Sequence, residues 1–279
     1  MKNTYWLALL PFFVLASCGG DTTTTIDGAP GADSSTLDGA PPDSSYSGDA
    51  ARVDSALPDT APITPAGQVR VQNGDKSGKG ASAIFVKSGA LWGEALGRSG
   101  ACAAYSGDEP KGDAVAGNID ITGTAKAIRL WALGSSYRPT QILPEALFEP
   151  GAVLEIVAAG GDVPAFGGTV TGPPAVAEYT PPTKVSRSKP LPLRWKTEGS
   201  FVMWIRVIGS ETGQRLVCEV PDKGSYDVPA GALGLLSSND TYAIVELHRV
   251  GKTDVVAGEW TVHLVATTGT ASAPLAFLP

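Results

Sequence analysis

Histidine, methionine and cysteine are scarce in this chain of 279 residues, with two, two and three copies. So few histidines and cysteines cannot build a histidine-rich metal centre or a zinc ribbon. No apolar stretch reaches the 18 residues that a permanent membrane-spanning helix needs. Positive charge is in the minority, 21 Lys+Arg against 28 Asp+Glu, which argues against a general nucleic-acid binder. Glycine and proline, by contrast, are abundant, with 34 and 22 copies. Together they make about a fifth of the chain against a usual share of roughly 12%. That many helix breakers exclude a coiled coil or a helical bundle.

The formal charge of −7 sits in one place. Residues 19–66 carry eight aspartates and a single base, Arg52, whereas residues 67–279 carry 19 bases and 20 acids. Asp-Gly-Ala-Pro occurs at 27–30 and again at 38–41, within a segment dominated by Ser, Thr, Gly, Ala, Pro and Asp. Such a composition cannot bury enough apolar surface to offset its conformational entropy, so a disordered tether is expected over 18–66. Fully stretched it would span roughly 160 Å. As a flexible coil it would average about 40 Å.

Ahead of it stands Met1-Lys2-Asn3, then an apolar run from Tyr5 to Ala16 interrupted by Pro11. Its length suits the core of an export signal, predicted over 1–17, rather than a spanning helix. The run ends in Leu15-Ala16-Ser17-Cys18. This tetrad resembles the lipobox of bacterial lipoproteins: an aliphatic residue, two small residues and the cysteine that takes the lipid. The resemblance covers about the first 18 residues. It implies that Cys18 carries a diacylglycerol and, after cleavage, a further acyl chain. Two or more chains anchor stably where one does not. The implied location is the bacterial cell envelope, with the membrane as partner through the lipid. Gly19 in place of an inner-membrane retention Asp favours the outer membrane.

Residues 67–279 read as all-β, with short alternating or apolar runs between turn clusters. Strands are predicted at Gln68–Gln72, Ala81–Lys87, Ala114–Ile121, Ala125–Leu133, Val153–Ala158 and Gly167–Thr171. Further strands are predicted at Ala175–Tyr179, Leu191–Lys196, Phe201–Ile208, Arg215–Val220, Thr241–Val250, Asp254–Ala257 and Glu259–Thr267. In Phe201–Ile208 both faces are largely apolar, as in a central strand buried on both sides. Helical turns are expected at Pro229–Leu236 and Pro144–Phe148. The proline-rich stretch from Pro173-Pro174 to Pro181-Pro182 divides the region into two expected β-sandwich modules, 67–173 and 174–279. The second resembles an immunoglobulin or fibronectin type III sandwich in Leu193-Arg194-Trp195, a strong middle strand and Tyr242 late in the chain. One continuous larger sandwich is the alternative.

With Cys18 assigned to lipid, Cys102 and Cys218 remain, and an oxidising compartment favours a disulfide between them over two free thiols. Chemistry is harder to find. Gly74–Gly80 has a phosphate-loop look, but it is one residue short, lacks the metal-binding hydroxyl and joins two strands, so a hairpin turn is expected. His248 and His263 have no evident nucleophile, and no Gly-x-Ser-x-Gly elbow is present. The loop with Asp108, Glu109 and Asp113 is interrupted by Lys111 and lacks a calcium-binding pattern. Trp204 and Trp260 are assigned to the core. Trp92 lies outside any strand pattern and is the candidate for exposure and stacking on a sugar ring.

These readings combine into a lipid-anchored envelope protein that displays β-sandwich modules for binding or structure. It would need no cofactor or metal, would bind no nucleic acid, and would have an envelope protein or polysaccharide as partner. The alternatives are a carbohydrate-binding module using exposed Trp, and an extracytoplasmic hydrolase with scattered carboxylates such as Asp108 and Glu155.

Overall fold

A computed structural model describes residues 64–74, 79–87, 91–108, 110–269 and 273–278. The lipobox, Cys18, the export signal and nearly all of the tether lie outside the described residues. The described part is all-β. Its strands are β1 (Ala66–Asn73), β2 (Gly80–Val86), β3 (Ala95–Ser99), β4 (Cys102–Tyr105), β5 (Ile119–Thr122) and β6 (Ile128–Leu133). Next come β7 (Ser136–Pro139), β8 (Val153–Ala158), β9 (Phe166–Thr171), β10 (Lys184–Ser186), β11 (Leu191–Arg194) and β12 (Val202–Gly209). The last are β13 (Arg215–Pro221), β14 (Ser225–Val228), β15 (Tyr242–Ala257), β16 (Trp260–Gly269) and β17 (Ala273–Leu278). One helical turn, α1 (Ala230–Leu233), starts after Pro229, whose fixed φ suits a helix start. The turn expected at 144–148 is not helical.

A long sheet runs β2-β1-β16-β15-β12-β13-β4-β3, with β17 beside β15 and β10 beside β17. A five-stranded sheet runs β7-β6-β5-β8-β9, and β11 pairs with β14 as a separate ribbon. The two expected modules are therefore not consecutive in the chain. β1 pairs with β16 in parallel, and β4 pairs with β13, so both pairings cross residue 173.

Among the described residues two large cores stand beside two smaller clusters, and the large ones interlace. The first packs β1 and β2 residues (Val69, Val71, Phe85) and the inner face of the five-stranded sheet (Ile119, Ile121, Leu130, Ile156) against Trp260, Val262 and Leu264 of β16. The second packs Cys102 and Ala104 of β4 with Met203, Ile205, Leu216, Val245 and Leu275 beneath Leu191, Leu193 and Val228. β15 serves both. Val245 and Leu247 lie in the second core, while Ala257 lies in the first. Between them stands Gly251, where a Cβ would lie 2.0 Å from Thr171 O. Only glycine lets the end of β9 approach so closely. Predicted strands Thr241–Val250 and Asp254–Ala257 are thus one strand, continuous through a position that has no side chain to bury.

The proline-rich break is pinned into this structure instead of separating it. Arg249, fully buried, donates Nε to Asp222 Oδ2 at 2.8 Å, Nη1 to Ala175 O at 2.7 Å and Nη2 to Lys196 O at 2.6 Å. Thr268 Oγ1 donates to Pro174 O at 2.7 Å. The backbone of 174–175 spends its carbonyls on these side chains, and Ala175–Tyr179 forms no strand. Asp222 also accepts Trp195 Nε1 at 2.6 Å and Glu198 N–H at 3.2 Å. Burial alone pushes the Asp222 carboxyl up, but these bonds and Arg249 outweigh it and hold it below its ordinary value.

Candidate binding surface

The solvent face of the five-stranded sheet is built by simple alternation. On β6, Ile128 and Leu130 point to the core, so Arg129, Trp131 and Leu133 point out. On β8, Leu154, Ile156 and Ala158 are buried, so Val153, Glu155 and Val157 point out. Trp131 is left 52% exposed and Val157 46%. Trp131 stands directly opposite Arg138 of β7. On the same strand as Trp131, Arg129 holds Asp120 of the neighbouring β5 in a two-point ion pair, Nε–Oδ1 2.6 Å and Nη2–Oδ2 2.9 Å. The hydrogen bond from Arg129 keeps the Asp120 carboxyl below its usual range. Across from Asp120 lies Val157, and across from Val157 lies Gly167, which leaves the surface low at that point.

An indole is thus presented beside a planar guanidinium–carboxylate pair whose donors and acceptors are held in place. The apolar ring offers a stacking platform, and the remaining N–H and oxygen sites can bond hydroxyl groups. Trp131 is not among the residues singled out from the sequence, where it falls inside the predicted strand Ala125–Leu133. The signal that was available is the alternation itself, which puts Trp131 in phase with Arg129 and Leu133.

Trp92 is placed differently from expectation. It is half-buried, folded back from its turn over the outer face of the long sheet. There it meets Trp204 edge-on at 5.0 Å between centroids and packs near Ala103, Tyr105, Val217, Val250 and Val265. Covering that apolar patch is worth more than leaving an indole in water. Trp204, Trp260 and Trp195 are all buried. On the same face Arg70 lies 6.0 Å from the Trp204 ring. Burial, then the nearby Arg206, lowers its guanidinium to about 10.

The remaining candidates separate. Cys102 and Cys218 face each other in the β4–β13 pair and form a disulfide, S–S 2.08 Å. His248 is buried, with Nε2 3.3 Å from Glu246 Oε2, and burial holds its imidazole below the ordinary histidine value against the pull of Glu246. His263 pairs across strands with Asp254, Nδ1 to Oδ1 at 2.6 Å. Asp113 uses Oδ1 to accept Lys87 N–H, and Glu109 lies outside the described residues. Asp108 borders a cleft that Glu155 does not line, since Glu155 points from β8 into solvent and accepts Thr122 Oγ1. Gly74–Gly80 joins antiparallel β1 and β2, and its residues 75–78 lie outside the described residues. Among the described residues no group of three or more His, Cys, Asp or Glu is placed to hold a metal ion. No helix there is long and apolar enough to cross a membrane. No protein-family model matches the chain, and no curated protein matches it.

Proposed function

We propose that this chain is a lipid-anchored protein of the bacterial cell envelope, held through Cys18, that displays its β-sheets on the acidic tether to bind carbohydrate. Exposure of Trp131 beside the Arg129–Asp120 pair is the observation that carries the binding half of this reading. A pyranose ring has an apolar C–H face for the indole and hydroxyls for the ion pair, so one patch serves both sides of the sugar. Leu15-Ala16-Ser17-Cys18 supports the anchoring half. The likeness of Leu193-Arg194-Trp195 and Tyr242 to an immunoglobulin sandwich belongs to the same proposal, as part of a scaffold that also takes in β4 and has Trp195 in its core.

Each half has its own test. Cys18→Ser is expected to stay unprocessed and to lose lipid labelling, and its cleavage and retention at the membrane would count against the anchor. Binding of the full chain to peptidoglycan sacculi and a panel of soluble polysaccharides is measured for wild type and Trp131→Ala. A loss of about tenfold is expected for a stacked ring, with an unchanged melting transition. Equal binding by both proteins removes Trp131 from the site.

A further inference from the structure

On the outer face of the long sheet, alternation gathers charged side chains from three strands around Trp204. Glu246 and His248 of β15 stand opposite Arg206 and Trp204 of β12. Arg70 reaches over from β1, its Cζ 6.0 Å from the centre of the Trp204 ring. One oxygen, Glu246 Oε2, serves two partners, Arg206 Nη1 at 3.0 Å and His248 Nε2 at 3.3 Å. The His248 side chain has no exposed surface, and those of Glu246 and Arg206 are 12% and 17% exposed. Beside Trp204, Glu219 of β13 accepts its indole N–H at 3.1 Å and is balanced by Lys252 at 3.7 Å. β16 contributes Val265 and Thr267, both buried and uncharged.

A carboxylate only accepts, so Nε2 is the nitrogen of His248 that carries the ring proton. Nδ1 is therefore a bare acceptor. It is buried, and among the described residues no donor reaches it. The next proton can go only to Nδ1. There it would become a buried donor without an acceptor, which is costly. Arg70 Nε and Nη2 are already buried donors with no acceptor among the described residues, so the site has none to spare. Burial, then the nearby Arg70 and Arg206, disfavours the charged ring more than Glu246 favours it.

We propose that His248 is an acid sensor, whose protonation at Nδ1 opens the outer face of the long sheet around Trp204 to water. The proton comes from solvent, and entering water supplies the acceptor that the site lacks. A third cation would share Glu246 with Arg70 and Arg206, so the face holds either the proton or its dry packing. Between the folded and unfolded values of this ring, the unfolded chain binds the extra proton. Stability from the neutral ring is therefore present above the unfolded value of about 6.5 and is lost as pH falls through the folded one. That window opens above the carboxylate range.

With only two histidines in the chain, the test is direct. Imidazole and indole signals of the isotope-labelled full chain are followed by NMR from about pH 7.5 to about pH 4.5. His248 is expected to titrate below the ordinary histidine value, with the Trp204 indole N–H signal moving on the same curve. A Trp204 signal that stays in place through the titration overturns the proposal, as does a His248 that takes no proton until the whole chain unfolds. In urea, the unfolding constant of wild type is expected to rise about tenfold more than that of His248→Gln between about pH 7.5 and about pH 5.5. Glutamine can still donate to Glu246 but takes up no proton. An equal rise in both proteins also overturns the proposal, and if His248→Gln does not fold, the wild-type titration decides alone.

Discussion

Arg249 and Asp222 lie at 0% side-chain exposure, 2.8 Å apart, with their other polar atoms spent on Trp195, Glu198, Ala175 and Lys196. A buried pair of this kind tolerates joint replacement better than the loss of one member. Arg249→Leu leaves the Asp222 charge buried and is expected to cost about 3–5 kcal/mol in urea unfolding. The pH dependence follows from the lowered Asp222 carboxyl. Its folded value is below its unfolded value, so the unfolded chain binds more protons between the two. Stability from this group is therefore present above the unfolded value of about 4 and is lost as pH falls through the folded one. Urea midpoints between pH 6 and pH 2 are expected to fall less steeply for Asp222→Asn. Asp240 should add to the wild-type slope. Burial pushes its carboxyl up, but bonds from Thr212 and Glu211 outweigh that and hold it down.

At the scale of elements, β4 illustrates how a short strand is held. Its four residues pair with β13 on one side and β3 on the other, and the Cys102–Cys218 bond crosses the β4–β13 ladder. The bond closes a loop with a sequence separation of 116 residues. Loop-closure entropy puts its contribution near 5 kcal/mol, and removal of native disulfides typically costs 2–5. Cys102→Ser with Cys218→Ser is expected to lower stability by an amount in that range, measured by denaturant unfolding against the oxidised wild type. β4, β3, β7, β10, β14 and β17 are also the strands that sequence reading missed. Most are three to five residues long, too short for an alternating period to declare itself. β8 was predicted with its observed bounds, because Val153–Ala158 is a short apolar run interrupted only by Glu155 and flanked by glycine turns.

For the whole molecule, the interlaced cores have a direct consequence. A fragment of residues 67–173 lacks β16, and with it Trp260, Val262, Leu264 and the partner of β1. A fragment of 174–279 lacks β4 and the disulfide partner of Cys218. Neither is expected to show a cooperative thermal transition alone, whereas the chain from residue 64 onward is expected to melt in one. Circular dichroism of the three proteins checks this. A cooperative transition in either fragment would restore the reading of consecutive modules.

Composition and periodicity alone determined the all-β class, the burial of Trp204 and Trp260 and the turn after Pro229. They also placed the acidity in residues 19–66. Each of these depends on neighbours within a few residues, where alternation and turn chemistry act. Tertiary structure decided the rest, because it depends on which distant edges meet. The parallel pairing of β1 with β16 joins residues nearly 200 apart, and no local pattern encodes it. The pairing of Cys102 with Cys218 depends on the register of β4 against β13. The settings of Trp92 and Trp131 were decided in the same way. A turn folded one indole over an apolar patch, while a sheet with a single covered face left the other in water.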